Sequence, residues 1–164
     1  MEGIRRIVVP VDFNRHTDTL AEFAIYMANK LNARVTFIHV MKNLPDFLDY
    51  EPSTMEQLDR NFRAHAEGKM TALMESVKNK CLECDGEVLT GDASEAIIAY
   101  AGKVQADLIV IATHGNQGIE KVLLGSVADR VIKGAPCPAL VFNPFRNDRG
   151  YAVCKPLSSC VTAM

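Results

Sequence analysis

The sequence lacks the features that would direct it to a membrane or to nucleic acid. No apolar run approaches the roughly 18 residues that a transmembrane helix needs. The stretch from Met1 to Phe13 has no apolar h-region followed by a cleavage site, as a signal peptide would. Lysine and arginine total 18 against 20 for aspartate and glutamate, so the basic surplus typical of nucleic-acid-binding proteins is missing too. These absences predict a cytoplasmic protein that binds neither membranes nor nucleic acid.

The common glycine-rich nucleotide motifs are also absent. The sequence has no GxxxxGKS or GxxxxGKT, which excludes a P-loop NTPase. The first predicted strand is followed by Asp12 to His16, a segment without glycine, whereas a dinucleotide-binding fold needs GxGxxG there. No GxSxG elbow is present to carry a Ser–His–Asp triad. The sequence therefore identifies no catalytic residue.

The five cysteines include one CxxC pair, Cys81 and Cys84. Structural zinc would need two further ligands, and the spacing of Cys154 and Cys160 does not match a zinc knuckle. The pair follows a predicted helix end, not the strand-to-helix turn where thioredoxin-like redox motifs occur. Because cytoplasmic thiols stay reduced, all five cysteines are expected to be free thiols, with no metal site.

Short apolar runs alternate with amphipathic segments along most of the chain. Strands are predicted at residues 4–11, 33–40, 86–89, 108–111 and 139–142, with helices between them. Strands that alternate with helices indicate an α/β domain with an open parallel sheet and helices on both faces. We expect one such domain over residues 1–143, followed by a tail at residues 144–164 with little periodicity.

Helix starts are predicted from short polar signals. Ser53 with Glu56 fits a capping box, and Asp92 and Ser126 are expected to cap the third and fourth helices. The long second helix is expected to run to about residue 80. Its apolar positions predict a buried stripe of Met55, Leu58, Phe62, Ala66, Leu73 and Val77.

The segment from Ala106 to Val127 combines a buried strand, a glycine-bearing polar loop and a helix start. Gly115 lies in the loop, and Gly125 with Ser126 opens the helix. Backbone N–H groups near glycines and at a helix N-terminus bind phosphate. Ligands of parallel sheets lie beyond the carboxyl ends of the strands, where the strand order reverses. The segment therefore predicts a phosphate-binding loop; a tight turn without a ligand is the alternative.

The spacing of these residues resembles the nucleotide-binding motif of the universal stress protein family, Gly-x2-Gly-x9-Gly-Ser/Thr. Gly115 is followed by nine residues and then by Gly125 and Ser126, whereas Ala112 stands where the first glycine is expected. The resemblance extends from about residue 4 to residue 142. It includes the sequence VPVD at residues 9–12 and LGSVADRVI at residues 124–132.

The resemblance implies a five-stranded parallel sheet of order 3-2-1-4-5, a homodimer paired through the last strand, and bound ATP. Asp12 would accept from a ribose hydroxyl or approach a phosphate-bound Mg²⁺. By position, the resemblance implies that the adenine and ribose contact Pro10, Val11, Asp12 and Val40. The sugar and α-phosphate would contact Ile111 and Ala112. The phosphates would contact Gly115, Gly125, Ser126 and Val127.

The implied function is an ATP-binding module of the stress response. Two alternatives stay open, a nucleotide-free dimeric interaction protein and a weak ATPase. ADP, AMP and cyclic AMP would satisfy the same adenine and sugar contacts as ATP. The Cβ of Ala112 is harmless if its φ is negative and costs about 1–2 kcal/mol if its φ must be positive.

Overall fold

The computed structural model describes residues 3–43, 52–113 and 124–144. Strands and helices alternate along these residues, as the apolar pattern predicts. In chain order they are β1 (Arg6–Pro10), α1 (Thr17–Leu31), β2 (Arg34–Met41), α2 (Pro52–Val77), β3 (Cys84–Thr90), α3 (Ala93–Lys103), β4 (Leu108–Ala112), α4 (Ser126–Gly134) and β5 (Ala139–Phe142).

The five strands form one sheet in the order β3-β2-β1-β4-β5, and every neighbouring pair is parallel. The central strand β1 aligns Ile7 with Val35 of β2 on one side and with Leu108 of β4 on the other. The prediction of a single-domain α/β fold with an open parallel sheet of this order is confirmed.

Each face of the sheet is covered by a separate apolar cluster. Side chains of α1 and α2 pack on one face, where Phe37 and Val110 are fully buried. Side chains of α3 and α4 pack on the other face, around Ile38 and Ile109. Because successive strand residues point to opposite faces, the continuous apolar runs of β1, β2 and β4 supply both clusters.

The predicted buried stripe of α2 is only half correct. Ala66, Leu73 and Val77 are buried, but Leu58 and Phe62 expose 36% and 53% of their surfaces. A helix of 26 residues is about 39 Å long, whereas the eight residues of β2 span about 26 Å. The first half of α2 therefore extends past the strands that bury the second half. Ser53 lies inside this helix, which begins at Pro52.

The expectation of five free thiols is wrong for the CxxC pair. Cys81 and Cys84 form a disulfide, and their Cα atoms are 6.1 Å apart, within the usual range for such bonds. The segment between α2 and β3 folds back on itself, which brings the two side chains together. Cys137 is a free cysteine, and burial raises the pKa of its thiol.

The predicted tail lies outside the described residues after position 144. The boundary between domain and tail therefore stays a prediction. Across residues 3–43, 52–113 and 124–144, none of the helices combines the length and the apolarity that crossing a membrane requires.

Candidate functional site

A cavity of about 590 Å³ lies at the carboxyl ends of the strands, where β1 separates β2 from β4. Its volume is within the range of small-molecule sites. It is lined by nine of the ten site residues predicted from the sequence, namely Pro10, Val11, Asp12, Val40, Ile111, Ala112, Gly125, Ser126 and Val127. The tenth, Gly115, lies outside the described residues. The fold thus brings together segments that are about a hundred positions apart in the chain.

The turn after β1 is held against β2 by two short contacts. Val11 N donates to Ile38 O at 2.8 Å, and His39 Nδ1 lies 2.8 Å from Val11 O. Since a carbonyl oxygen can only accept, His39 must carry its proton on Nδ1. The exposed Asp12 accepts from the backbone and side-chain nitrogens of Asn14, at 3.3 and 2.6 Å. Asp12 is therefore a turn residue whose carboxylate also borders the cavity.

Gly125 closes the loop that follows β4. Its N–H donates to Thr113 O at 2.8 Å, and a Cβ at this position would lie 3.0 Å from the same oxygen. The close approach explains why glycine is needed here. The predicted cap at Ser126 is wrong by one residue, because Gly125 is the N-cap and Ser126 is the first residue of α4. Across residues 3–43, 52–113 and 124–144, no side chain caps this helix.

Residues from the N-termini of three helices line the cavity, and within the described part of the chain one of these helices, α3, has a side-chain cap. Asp92 caps α3 by accepting from Ser94 N and Glu95 N at 3.0 and 3.1 Å. The hydrogen bond from the Ser94 hydroxyl and then that from Glu95 N hold the pKa of Asp92 below its usual value. The N-termini of α1 and α4 have no side-chain cap. At the start of α1, His16 N donates to Asn14 Oδ1 at 2.8 Å and Thr17 N donates to Asn14 O at 3.1 Å, so these two groups already have partners. The first N–H groups of α4 lack intrahelical partners, which suits them to an anion.

Sequence reasoning missed several residues that line the cavity. Asn14, His16 and Thr17 come from the turn before α1, and Lys42 follows β2. The sequence pattern predicts a polar turn over residues 14–19 with the helix after it, whereas α1 begins at Thr17 and this first residue lines the cavity. Lys42 lies two positions after Val40, the predicted adenine contact. Residues two apart along a strand point to the same face, and this spacing is the one sequence signal that could have suggested Lys42.

Ala112 occupies an extended position at the end of β4, opposite Phe142 of β5. Within the described part of the chain, the residues other than glycine with positive φ are Phe13, Asn32 and Gln105. The backbone at Ala112 therefore accepts a Cβ without strain. The missing first glycine costs no conformational energy at this point.

We expect the substitution Ala112→Gly to leave the affinity of the cavity for its ligand within about twofold of the wild type. It should lower the free energy of unfolding by about 0.5–1 kcal/mol, because glycine loses more conformational freedom in a strand. Calorimetric titration and urea unfolding measure the two quantities. A large gain in affinity would show that the methyl group obstructs the ligand.

Groups of three or more histidine, cysteine, aspartate or glutamate side chains that could hold a metal are absent from residues 3–43, 52–113 and 124–144. Asp12 is the acidic residue among those lining the cavity. Magnesium is commonly held by one or two carboxylates together with substrate phosphates and water. The cavity therefore suits a magnesium ion that arrives with phosphate.

The model of the universal stress protein family matches residues 3–143. The chain belongs to that family. The universal stress protein MJ0531 of Methanocaldococcus jannaschii is 32% identical over 137 residues, which cover 84% of this chain and 81% of the relative.

Two solved structures show the same universal stress protein fold. The protein UspA from Lactobacillus plantarum superposes with a TM-score of 0.74 at 24% identity, covering 87% of this chain and 99% of its own. A universal stress protein in complex with cAMP superposes with a TM-score of 0.64 at 19% identity, covering 87% of this chain and 99% of its own. At these identities the likeness establishes the fold alone.

Proposed function

We propose that this universal stress protein binds ATP in the cavity between β1 and β4 and acts as a cytoplasmic, homodimeric binding module of the stress response. The observation that carries the proposal is the start of α4, a helix whose N-cap residue makes no side-chain hydrogen bond, on the cavity at the switch point of the sheet. A family member that was solved with cAMP supports an adenine nucleotide as the ligand class.

The adenine and ribose would occupy the part of the cavity next to β1 and β2. The half-buried Val40 offers apolar surface there and packs on the cluster that contains the fully buried Ile38, and Ile97 of α3 lines the same cavity. Buried apolar walls with a few polar groups are typical of sites for flat ring systems. Asp12, which lines the cavity with an exposed carboxylate, would accept from a ribose hydroxyl.

The phosphates would lie between the starts of α4 and α1. Ser126 and Val127 supply free N–H groups at the first turn of α4, and Ser126 adds a hydroxyl. On the α1 side, Thr17 is only 7% exposed and its hydroxyl has no hydrogen-bond partner among the described residues. A buried hydroxyl without a partner is costly, so it is suited to a ligand group that reaches it after rotation about χ1. Donors on both sides favour a polyphosphate over a single phosphate. Magnesium, when bound, would neutralise phosphate charge near Asp12.

Identification of the ligand that co-purifies with the protein tests the proposal directly. The protein is purified without added nucleotide, denatured, and its small molecules are identified by mass spectrometry. We expect an adenine nucleotide at close to one per chain, with ATP bound more tightly than AMP or cAMP in calorimetric titrations. Absence of bound nucleotide together with no thermal shift at millimolar ATP would contradict it and favour a nucleotide-free interaction protein.

The proposed homodimer would form through β5, which is an edge strand of the sheet. Val141 on this strand is 39% exposed, so its side chain is accessible to a partner strand at this edge. The substitution Val141→Asp would place two like charges against each other in the dimer. We expect the dimer dissociation constant to rise by at least about 100-fold, since such contacts cost several kcal/mol.

Analytical ultracentrifugation measures this dissociation constant. Leu82→Asp is the matched control, because Leu82 is 49% exposed but lies next to β3, at the other edge of the sheet. The control variant is expected to dimerise like the wild type. Equal dissociation constants for Val141→Asp and the wild type would place the dimer interface elsewhere.

A further inference from the structure

The disulfide between Cys81 and Cys84 lies at the opposite end of the sheet from the cavity that we assign to ATP. Cys84 is the first residue of β3, whereas the cavity lies beyond the last residues of the strands. Both cysteines line a surface groove of about 520 Å³ that shares no residue with the ATP cavity. The proposed function gives this pair no role.

The backbone around the two cysteines is fixed by contacts that do not depend on the disulfide. The side chain of Asn29 on α1 donates to Lys80 O at 2.8 Å. Val35 N on β2 donates to Glu83 O at 3.0 Å, which extends the pairing of β2 with β3 by one residue. These bonds anchor the residues that precede each cysteine. In the reduced protein the two thiols are therefore expected to stay side by side, which favours rapid closure.

The disulfide itself adds little chain restriction, because its cysteines are separated by only three positions. In the chain-entropy model the stabilisation by a disulfide grows with the length of the loop that it closes. A bond across so short a loop therefore stabilises the fold little by this term. By linkage, its reduction costs the folded protein correspondingly little stability, so the bond can open and close without unfolding. In a reducing compartment, disulfides of this kind are usually transient and redox-sensing.

We propose that Cys81 and Cys84 form a reversible redox site that exchanges with small thiols and disulfides. In the oxidising direction, the Cys84 thiolate attacks a disulfide RSSR, forms a mixed disulfide and releases one RSH. The Cys81 thiolate then attacks Cys84 Sγ and releases the second RSH, leaving the protein disulfide. Two electrons pass from the protein to RSSR, and the two protons of the protein thiols end on the released RSH molecules. Cys84 takes the first step because it is half-buried, whereas Cys81 is only 8% exposed.

The charges around the groove select among small disulfides. Glu75, Glu83 and Asp85 line it together with two cations, Arg34 and Lys78. Lys78 is paired with Glu75, and Arg34 with Asp85. Glu83 is left as the surplus charge, so the groove carries a net negative charge. A cationic disulfide such as cystamine is therefore expected to react faster than the anionic glutathione disulfide.

The test uses the full chain with Cys137, Cys154 and Cys160 replaced by serine, so that only the CxxC pair reacts. After reduction with dithiothreitol under native conditions, thiol labelling and mass spectrometry should find two free thiols. Addition of cystamine should remove both without leaving an adduct on the protein. In the same background, Cys81→Ser should accumulate a stable mixed disulfide at Cys84. Cys84→Ser should react at least about tenfold more slowly, since its remaining thiol is buried.

The reagents and the salt concentration separate a redox site from a structural disulfide. Cystamine should oxidise the pair at least about fivefold faster than glutathione disulfide at low salt, and the difference should shrink in 1 M salt because charges are screened. A disulfide that is reduced only after the protein is unfolded would overturn the proposal, as would thiols that do not close to a disulfide. Calorimetric titration with ATP should give the same affinity for the oxidised and reduced forms, so loss of either function is recognised independently.

Discussion

Replacement of Ser126 by glutamate is expected to abolish ATP binding and to leave the protein at least as stable as the wild type. The new carboxylate would stand at the first position of α4, where the first N–H groups lack partners and no side chain caps the helix. A negative charge in the first turn stabilises a helix by about 0.3–1 kcal/mol. The same charge would occupy the place proposed for phosphate and would repel it. We expect affinity to fall by at least about 100-fold, because like charges in contact cost several kcal/mol.

Two further variants isolate the cause of this loss. Ser126→Ala removes only the hydroxyl and keeps the backbone donors, so its affinity should fall by about 10- to 100-fold, the worth of one hydrogen bond to a charged group, and by less than that of Ser126→Glu. Ser53→Glu adds the same charge to the first turn of α2, which has no acidic residue and does not line the cavity. This control should bind ATP like the wild type. Wild-type affinity in Ser126→Glu would remove α4 from the phosphate site.

The strands were predictable because the sheet demands an unambiguous pattern. The run from Leu108 to Ile111 is apolar at every position, and all four side chains are buried between two layers of helices. Gly125 was also predictable, from the spacing of the motif. The structure gives a second reason for glycine at this position that the sequence alone does not contain. Its missing side chain lets the helix start approach Thr113 O, a contact that only the folded chain defines.

The exact starts of the helices, and the cavity-lining residues that precede α1, were harder to predict from the sequence. Ser126 has the chemistry of a cap, but the hydrogen bond from Gly125 to the end of β4 fixes the start of α4 one residue earlier. Phe62 follows the helical period of α2, yet it lies where the helix has passed the sheet. Thr17 reaches the cavity only because β1 and β4 are neighbours. Each outcome depends on tertiary placement, which local periodicity does not encode.

The state of the CxxC pair also depends on tertiary contacts that the sequence does not reveal. Sequence reasoning judged Cys81 and Cys84 by the expected compartment and by the absence of a strand-to-helix turn. The structure closes the pair at a helix-to-strand turn instead, where Asn29 and Val35 hold the neighbouring carbonyl groups. Both of these partners are distant in the sequence. The spacing alone could suggest a disulfide, but not the scaffold that favours one.

Substitutions at two neighbouring residues of β2 are expected to distinguish effects on the stability of the fold from effects on ligand binding. Phe37 and Ile38 are both fully buried, but Phe37 packs under α1 and α2, whereas Ile38 lines the cavity on the opposite face. Phe37→Ala should lower the free energy of unfolding by about 3–5 kcal/mol and Ile38→Ala by about 2–5 kcal/mol. ATP at 100 times its dissociation constant should raise the free energy of unfolding of the wild type by about 2.7 kcal/mol, since it binds only the folded state.

The ligand-dependent part of stability is expected to differ between these two variants. Phe37→Ala keeps the cavity intact, so the increase in free energy of unfolding with ATP should match that of the wild type. Ile38→Ala leaves a cavity behind the wall of the proposed adenine site and loosens the packing of Val40 there, so the increase should be smaller by about 1 kcal/mol. Urea unfolding with and without ATP measures both values. A loss of ligand stabilisation in Phe37→Ala but not in Ile38→Ala would place the nucleotide on the α1 and α2 face, away from the cavity.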